Sequence, residues 1–217
     1  DVYKRQKLNN GIEMPQMGYG VYQVSSQVCE QCVSDALSVG YRMIDTAQAY
    51  HNEEGVGNAV KKSGIDRKEI FLVSKVWISN YVYEKAKASI DESLRRLQTD
   101  YIDLMLLHQP FCDRYGAYRA LQDAYREGKL RAIGVSNFYP DHFIDIAGNM
   151  EIVPAVNQVE THVFNQQVEP QKIMEELGTH IMSWGPFAEG RNNMFTNETL
   201  ADIASCLLYT SDAADEL

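Results

Sequence analysis

Three ionisable residues of complementary type recur at nearly equal intervals: Asp45, Lys75 and His108 lie 30 and 33 residues apart, counting 45 to 75 and 75 to 108. Each closes a short apolar run, and Tyr50 follows Asp45 in the next loop. A lysine deep in a pocket requires a counter-charge, and Asp45 supplies one, so the pair would stay ionised. The ammonium would then act on Tyr50. A phenol of reference pKa about 10 is a poor proton donor at neutral pH, and a nearby cation lowers that value. Tyr50 could then protonate the oxygen of a substrate carbonyl, and His108 would donate a hydrogen bond to that oxygen and fix its direction. Proton delivery to a polarised carbonyl oxygen must be matched by a hydride on carbon, which side chains cannot supply, so a nicotinamide cofactor is implied.

Each of these residues also has a plainer reading. Asp45 could cap the following helix, Tyr50 is one of 13 tyrosines, and a lysine at a strand end or a single histidine is commonly structural. Their joint arrangement favours the chemical reading. A metal-dependent hydrolase with Asp45 and His108 as ligands is disfavoured, because no His-x-His pair is present and a lysine beside a metal is unfavourable. No metal is expected. Cys29 and Cys32 have C-x-x-C spacing, but zinc needs two further ligands and the segment 27–39 reads as a helix.

The elements that must position these residues form a repeat. Apolar runs at 17–21 (MGYGV), 41–45 (YRMID), 70–75 (IFLVSK), 101–108 (YIDLMLLH), 131–136 (RAIGVS), 155–158 (AVNQ) and 180–184 (HIMSW) give seven strand candidates. Their near-continuous hydrophobicity fits parallel strands buried on both faces. Between them, Ala86, Ile90, Leu94 and Leu97 form one stripe of an amphipathic helix over 84–97. Tyr118, Leu121 and Tyr125 do the same in 115–127, where Gly128 is a C-cap. Alternating strands and helices without a G-x-G-x-x-G segment, at roughly 25 to 30 residues per unit, predict an α/β (β/α)8 TIM barrel with about seven of its eight units. The Asn-Gly dipeptide at 10–11 predicts an N-terminal β-hairpin that would plug the barrel bottom. Each of the six strands after the first then ends at the barrel mouth in a polar or aromatic residue, namely Asp45, Lys75, His108, Ser136 with Asn137, Gln158 and Trp184. The mouth is where such barrels build their sites.

Composition narrows the function classes. The chain has 217 residues and a formal net charge of −10 at pH 7, which repels nucleic-acid phosphates and anionic lipid. Neither nucleic acid nor membrane is expected as a partner. Four cysteines are too few for a disulfide framework and there is no apolar secretory segment, so a cytoplasmic location is expected. Residues 1–6 and 206–217 break the pattern and resemble translated adapter sequence. They are set aside as non-native tails, leaving 7–205 as the barrel domain.

Several segments, in order, resemble the aldo-keto reductase family: 40–50 (GYRMIDTAQAY) with Asn52, Glu53 and 55–57 (GVG), 94–110 ending LLHQP, 134–138 (GVSNF), 157–160 (NQVE) and 183–186 (SWGP). The resemblance spans 7–205. It implies NADPH-dependent reduction of a small carbonyl substrate, with NADH not excluded, by a tetrad of Asp45, Tyr50, Lys75 and His108 with Tyr50 as the acid. It implies that Ser136, Asn137 and Gln158 hold the cofactor's carboxamide, that Trp184 stacks on its ring, and that Gly185 and Pro186 line the cofactor site. Val21, Tyr22, Trp77 and Phe111 fall where the family places substrate-pocket residues. The Gln-Pro after His108 and the Trp-Gly-Pro segment are similar to short bacterial members, the 2,5-diketogluconate and glyoxal reductases. The complete enzyme is expected to be a monomer. The segment that would bind the adenosine phosphate follows an eighth strand, beyond this chain. A seven-stranded sheet would have open edges, so an inactive fragment is one alternative; a non-catalytic nicotinamide-binding subunit of the same fold is another.

Overall fold

A computed structural model describes residues 4–206. A hairpin of β1 (Arg5–Lys7) and β2 (Glu13–Pro15) precedes the repeat. Arg5 and Gln6, set aside above as tail, pair with Pro15 and Met14 in this hairpin. Seven parallel strands follow in sequential order: β3 (Tyr19–Gly20), β4 (Met43–Asp45), β5 (Phe71–Val76), β6 (Ile102–Leu107), β7 (Leu130–Ser136), β8 (Val156–Glu160) and β9 (His180–Trp184). The crossovers carry α1 (Ser26–Ser38), α2 (Glu53–Lys62), α3 (Tyr83–Leu97), α4 (Arg114–Arg126), α5 (Pro140–Asn149) and α6 (Val168–Glu176), and α7 (Glu198–Cys206) follows β9. Cys206 thus belongs to a helix, while the rest of the C-terminal tail and residues 1–3 lie outside the described residues. The sheet curls into a partial barrel with helices outside.

Side-chain alternation along each strand separates two apolar clusters. Met43, Phe71, Val73, Leu104, Leu106, Ala132 and Val156 pack together inside the curl, closed below by Leu8 and Met14 of the hairpin. The intervening Ile44, Leu72, Met105, Leu107, Ile133 and Val135 pack outward against the helices. Both faces of β5 and β6 are therefore buried over their whole length, as parallel strands between two layers require. The helices bury the stripes read from the sequence, including Ala86, Ile90 and Leu97 of α3 and Tyr118 and Leu121 of α4. Gly128, at φ +78°, ends α4.

One charge is buried at the end of the sheet remote from the mouth. Asp103 of β6 is fully buried and accepts from Arg67 at 2.8 Å, Arg131 at 2.7 Å and the Leu72 amide at 2.9 Å. These partners satisfy both carboxylate oxygens, which makes burial of the charge tolerable. No helix among the described residues is long and apolar enough to cross a membrane.

Candidate active site

The same alternation that builds the inner cluster delivers polar side chains to its upper end. Along β4 the inward positions are Met43 and then Asp45; along β5 they are Phe71, Val73 and then Lys75. On β6 they run Leu104, Leu106 and then His108, on β7 Ala132, Gly134 and Ser136, and on β8 Val156 and Gln158. The period of two therefore aims five chemically active residues at one space above an apolar floor. Gly134 is needed in this series, because a Cβ there would lie 2.3 Å from the Val156 carbonyl oxygen.

Lys75 is the centre of the arrangement. It is 1% exposed, forms a short ion pair with Asp45 Oδ1, donates to the Thr46 carbonyl at 3.0 Å and lies 3.4 Å from the Tyr50 hydroxyl. Burial works against its charge, but Asp45 and Tyr50 outweigh it and hold the pKa above the ordinary lysine value. Asp45 Oδ2 accepts from Gln158 Nε2 at 2.7 Å. Among the described residues no group of three or more His, Cys, Asp or Glu could hold a metal.

Tyr50 differs from the sequence-based expectation in one respect. Burial pushes its pKa up; Lys75 pulls it down but Asp45 opposes that pull, so the phenol lies above its ordinary value. The expectation considered the cation without the desolvation that accompanies it. Tyr50 lines an open cleft with Tyr22, Val24 and Ala49, and its ring lies 5.1 Å from that of Tyr22.

His108 meets Tyr50 and Trp77 edge-on, at 5.7 Å and 5.0 Å between ring centroids. Burial, helped by the Lys75 charge, depresses its pKa to about 3, so the imidazole is neutral at physiological pH. Its Nδ1 is buried without a hydrogen-bond partner.

A second group adjoins the first. Asn137, at φ +62°, donates to the His108 carbonyl at 3.1 Å and to Ser136 Oγ at 3.2 Å, and accepts from Trp184 Nε1 at 2.9 Å. Ser136 Oγ donates to the Gln158 carbonyl at 3.0 Å. Gly185, at φ +61°, turns the chain after Trp184, and Pro186 is exposed. Of the residues assigned to a substrate pocket, Trp77 and Tyr22 adjoin His108 and Tyr50. Phe111 is exposed, and Val21 is fully buried in the outer core cluster.

Sequence reasoning assigned no role to several buried polar residues that support this site. Asn52 donates to the carbonyls of Val21 and Val24, both at 2.9 Å, and accepts from Thr46 at 2.7 Å. Glu53 accepts from Ser74 at 2.7 Å, and burial raises its pKa. Gln48 holds the amide of Trp77. Their sequence signal was membership of the segments that carry the family resemblance, which assigned them no role. Cys29 donates to the Asn52 carbonyl at 3.6 Å, and burial pushes its thiol up to about 11, an environment that suppresses thiolate reactivity.

The model of the aldo/keto reductase family matches residues 14–202. A glyoxal reductase of Bacillus subtilis (strain 168) is 44% identical over 200 residues, spanning 91% of this chain and 72% of its own length. An aldo-keto reductase from a Medee basin deep-sea metagenome library superposes with a TM-score of 0.90 at 40% identity, covering 95% of this chain and 77% of its own. A Bombyx mori aldo-keto reductase solved in complex with NADP gives 0.89 at 29% identity, covering 96% and 77%.

Proposed function

Because the chain belongs to the aldo/keto reductase family, we propose that it reduces small aldehydes and ketones to alcohols with Tyr50 as the proton donor and NADPH, or alternatively NADH, as the reductant. The observation that carries this reading is the buried Lys75 ammonium, held by Asp45 and 3.4 Å from the Tyr50 hydroxyl. The donor set fits a nicotinamide cofactor: Ser136, Asn137 and Gln158 offer the amide and hydroxyl groups that bind a carboxamide, Trp184 supplies an indole face, and Gly185 and Pro186 border it. The bound cofactor supplies the hydride to the carbonyl carbon.

The chain's own residues manage the proton. Tyr50 stays protonated through neutral pH because its pKa is raised. As its proton passes to the carbonyl oxygen, the phenolate forms beside the Lys75 ammonium. The charge pair is stronger after transfer than before, which is the differential stabilisation that lowers a barrier. Asp45 keeps Lys75 charged and in place. Neutral His108 contributes a hydrogen bond to the substrate oxygen without competing as a source of charge. Trp77, Tyr22 and Phe111 are proposed to shape the substrate pocket, with Val21 contributing from the buried core as the residue that precedes Tyr22. The glyoxal reductase relative points to small, compact carbonyls as substrates.

The test is oxidation of NADPH by methylglyoxal and by aromatic aldehydes, comparing the wild-type chain with Tyr50→Phe. Loss of kcat by about 100-fold or more in the variant, with cofactor affinity retained, is the expected result. Equal turnover by both proteins removes Tyr50 from the mechanism. Cofactor binding without turnover by the wild type would instead indicate a non-catalytic nicotinamide-binding subunit.

A further inference from the structure

His108 has no side-chain hydrogen bond at Nδ1 to orient it. Its imidazole is fixed by its backbone and by the edge contacts with Tyr50 and Trp77. The backbone is held on both sides: its amide donates to the Val76 carbonyl at 3.2 Å, and its carbonyl accepts from Asn137 at 3.1 Å. What holds Trp77 therefore bears directly on the ring orientation of His108.

Trp77 begins a tight loop, 77–81, and the Gln48 carboxamide grips this loop from the turn that carries Tyr50. Gln48 Oε1 accepts from the Trp77 amide and from Asn80 Nδ2, both at 3.0 Å. Its Nε2 donates to the Ser89 carbonyl and Ser93 Oγ of α3, both at 3.1 Å. A glutamine amide has two donors and two acceptor sites, and all four are used here in a buried position. The far end of the loop is equally constrained. Tyr81, 1% exposed, donates its hydroxyl to the Gln109 carbonyl at 2.9 Å and accepts from the Gln109 amide at 3.1 Å. Gln109 directly follows His108.

We propose that Gln48 and Tyr81 are positioning residues: together they fix the 77–81 loop between the Tyr50 turn and the segment after His108, and through Trp77 they set the orientation of the His108 ring. This rests on the reading of His108 as part of a carbonyl-reducing site. A site held to sub-ångström tolerance needs such support, since a displacement of about 1 Å can lower a rate about 100-fold.

The test compares the full chain with Gln48→Met, which nearly preserves volume but removes the four hydrogen bonds, and with Tyr81→Phe. The expected outcome is a fall in kcat of about 10- to 100-fold in each, with affinity for the cofactor unchanged. A second readout uses the Trp184→Phe background, in which Trp77 is the one remaining tryptophan of the two in the sequence. There, either substitution should lower Trp77 fluorescence anisotropy and red-shift its emission. If Gln48→Met does not fold, Asn80→Ala removes one half-buried donor and should give a smaller change of the same kind. Unchanged kcat and unchanged Trp77 anisotropy overturn the proposal, even where the melting temperature falls. An inactive wild-type chain would count against the reductase reading, while the anisotropy of the variants would still decide the role of the loop.

Discussion

At the scale of single residues, His108 links the electrostatics of the site to the stability of the fold. Its depressed pKa, about 3 against an ordinary value of about 6.5, means that the folded state favours the neutral ring. The contribution of this preference is complete above about pH 6.5 and is lost as pH falls toward 3, because the unfolded chain takes up the proton first. Each pH unit below about 6.5 removes up to about 1.4 kcal/mol from this source. A His108→Gln variant should therefore show a shallower decline of urea-unfolding stability between pH 6.5 and 4 than the wild type. Parallel declines would mean that the ring is solvated in the native state. That Asp45, Tyr50, Lys75 and His108 converge on one space was legible from residue type and spacing. The net direction of the Tyr50 shift was not, because it depends on how much desolvation accompanies the Lys75 charge.

At the scale of elements, the polar residue that closes each apolar run carried most of the information in the sequence, and the alternation of strand residues explains why. Knowing that Phe71, Val73 and Lys75 share a face already places Lys75 above an apolar floor, and the same holds for Leu104, Leu106 and His108. The hairpin plug was legible for a different reason, from Asn10-Gly11 as a turn dipeptide between two short strands. Gln48, Asn52 and Glu53 were not legible in role, since apart from the Thr46–Asn52 contact the partners named above are 21 to 45 residues away and meet only when the loops close. The segment Gly55-Val56-Gly57 was noticed as part of a resemblance, and its physical reason is packing. A Cβ on Gly57 would lie 2.6 Å from the Arg96 carbonyl oxygen, where α2 crosses the end of α3. Backbone cannot yield as a side-chain end can, so Gly57→Ala should cost about 1–3 kcal/mol although alanine favours helix. Chemical denaturation measures this, and a variant as stable as the wild type would show that the helices separate without penalty.

At the scale of the whole molecule, the strand count and order followed from the repeat of apolar runs, but the character of the sheet edges did not. Among the described residues β3 pairs with β4 alone and β9 with β8 alone. The two edges are unequal. β3 has two residues, too few to template another chain, whereas β9 has five, with Ile181 and Met182 half-buried and Ser183 exposed. An edge strand of that length with a partly apolar face invites pairing with another copy unless something blocks it. Its ends are held by the His180 ring against the Lys7 carbonyl at 2.8 Å and by Trp184 Nε1 donating to Asn137 at 2.9 Å, which leaves Ile181 to Ser183 as the stretch between them. Where no further strand covers β9, self-association through this edge is expected as concentration rises, despite a net charge of −10 that opposes contact between copies. Placing a charge at the exposed position should suppress this, because a lysine on an edge strand penalises close approach of a second strand. Light scattering over a concentration series, with wild type beside Ser183→Lys, separates the possibilities. Association that weakens in the variant assigns the contact to β9, association equal in both moves it elsewhere on the surface, and a wild type that stays monomeric throughout shows that the β9 edge is covered or that charge repulsion outweighs it.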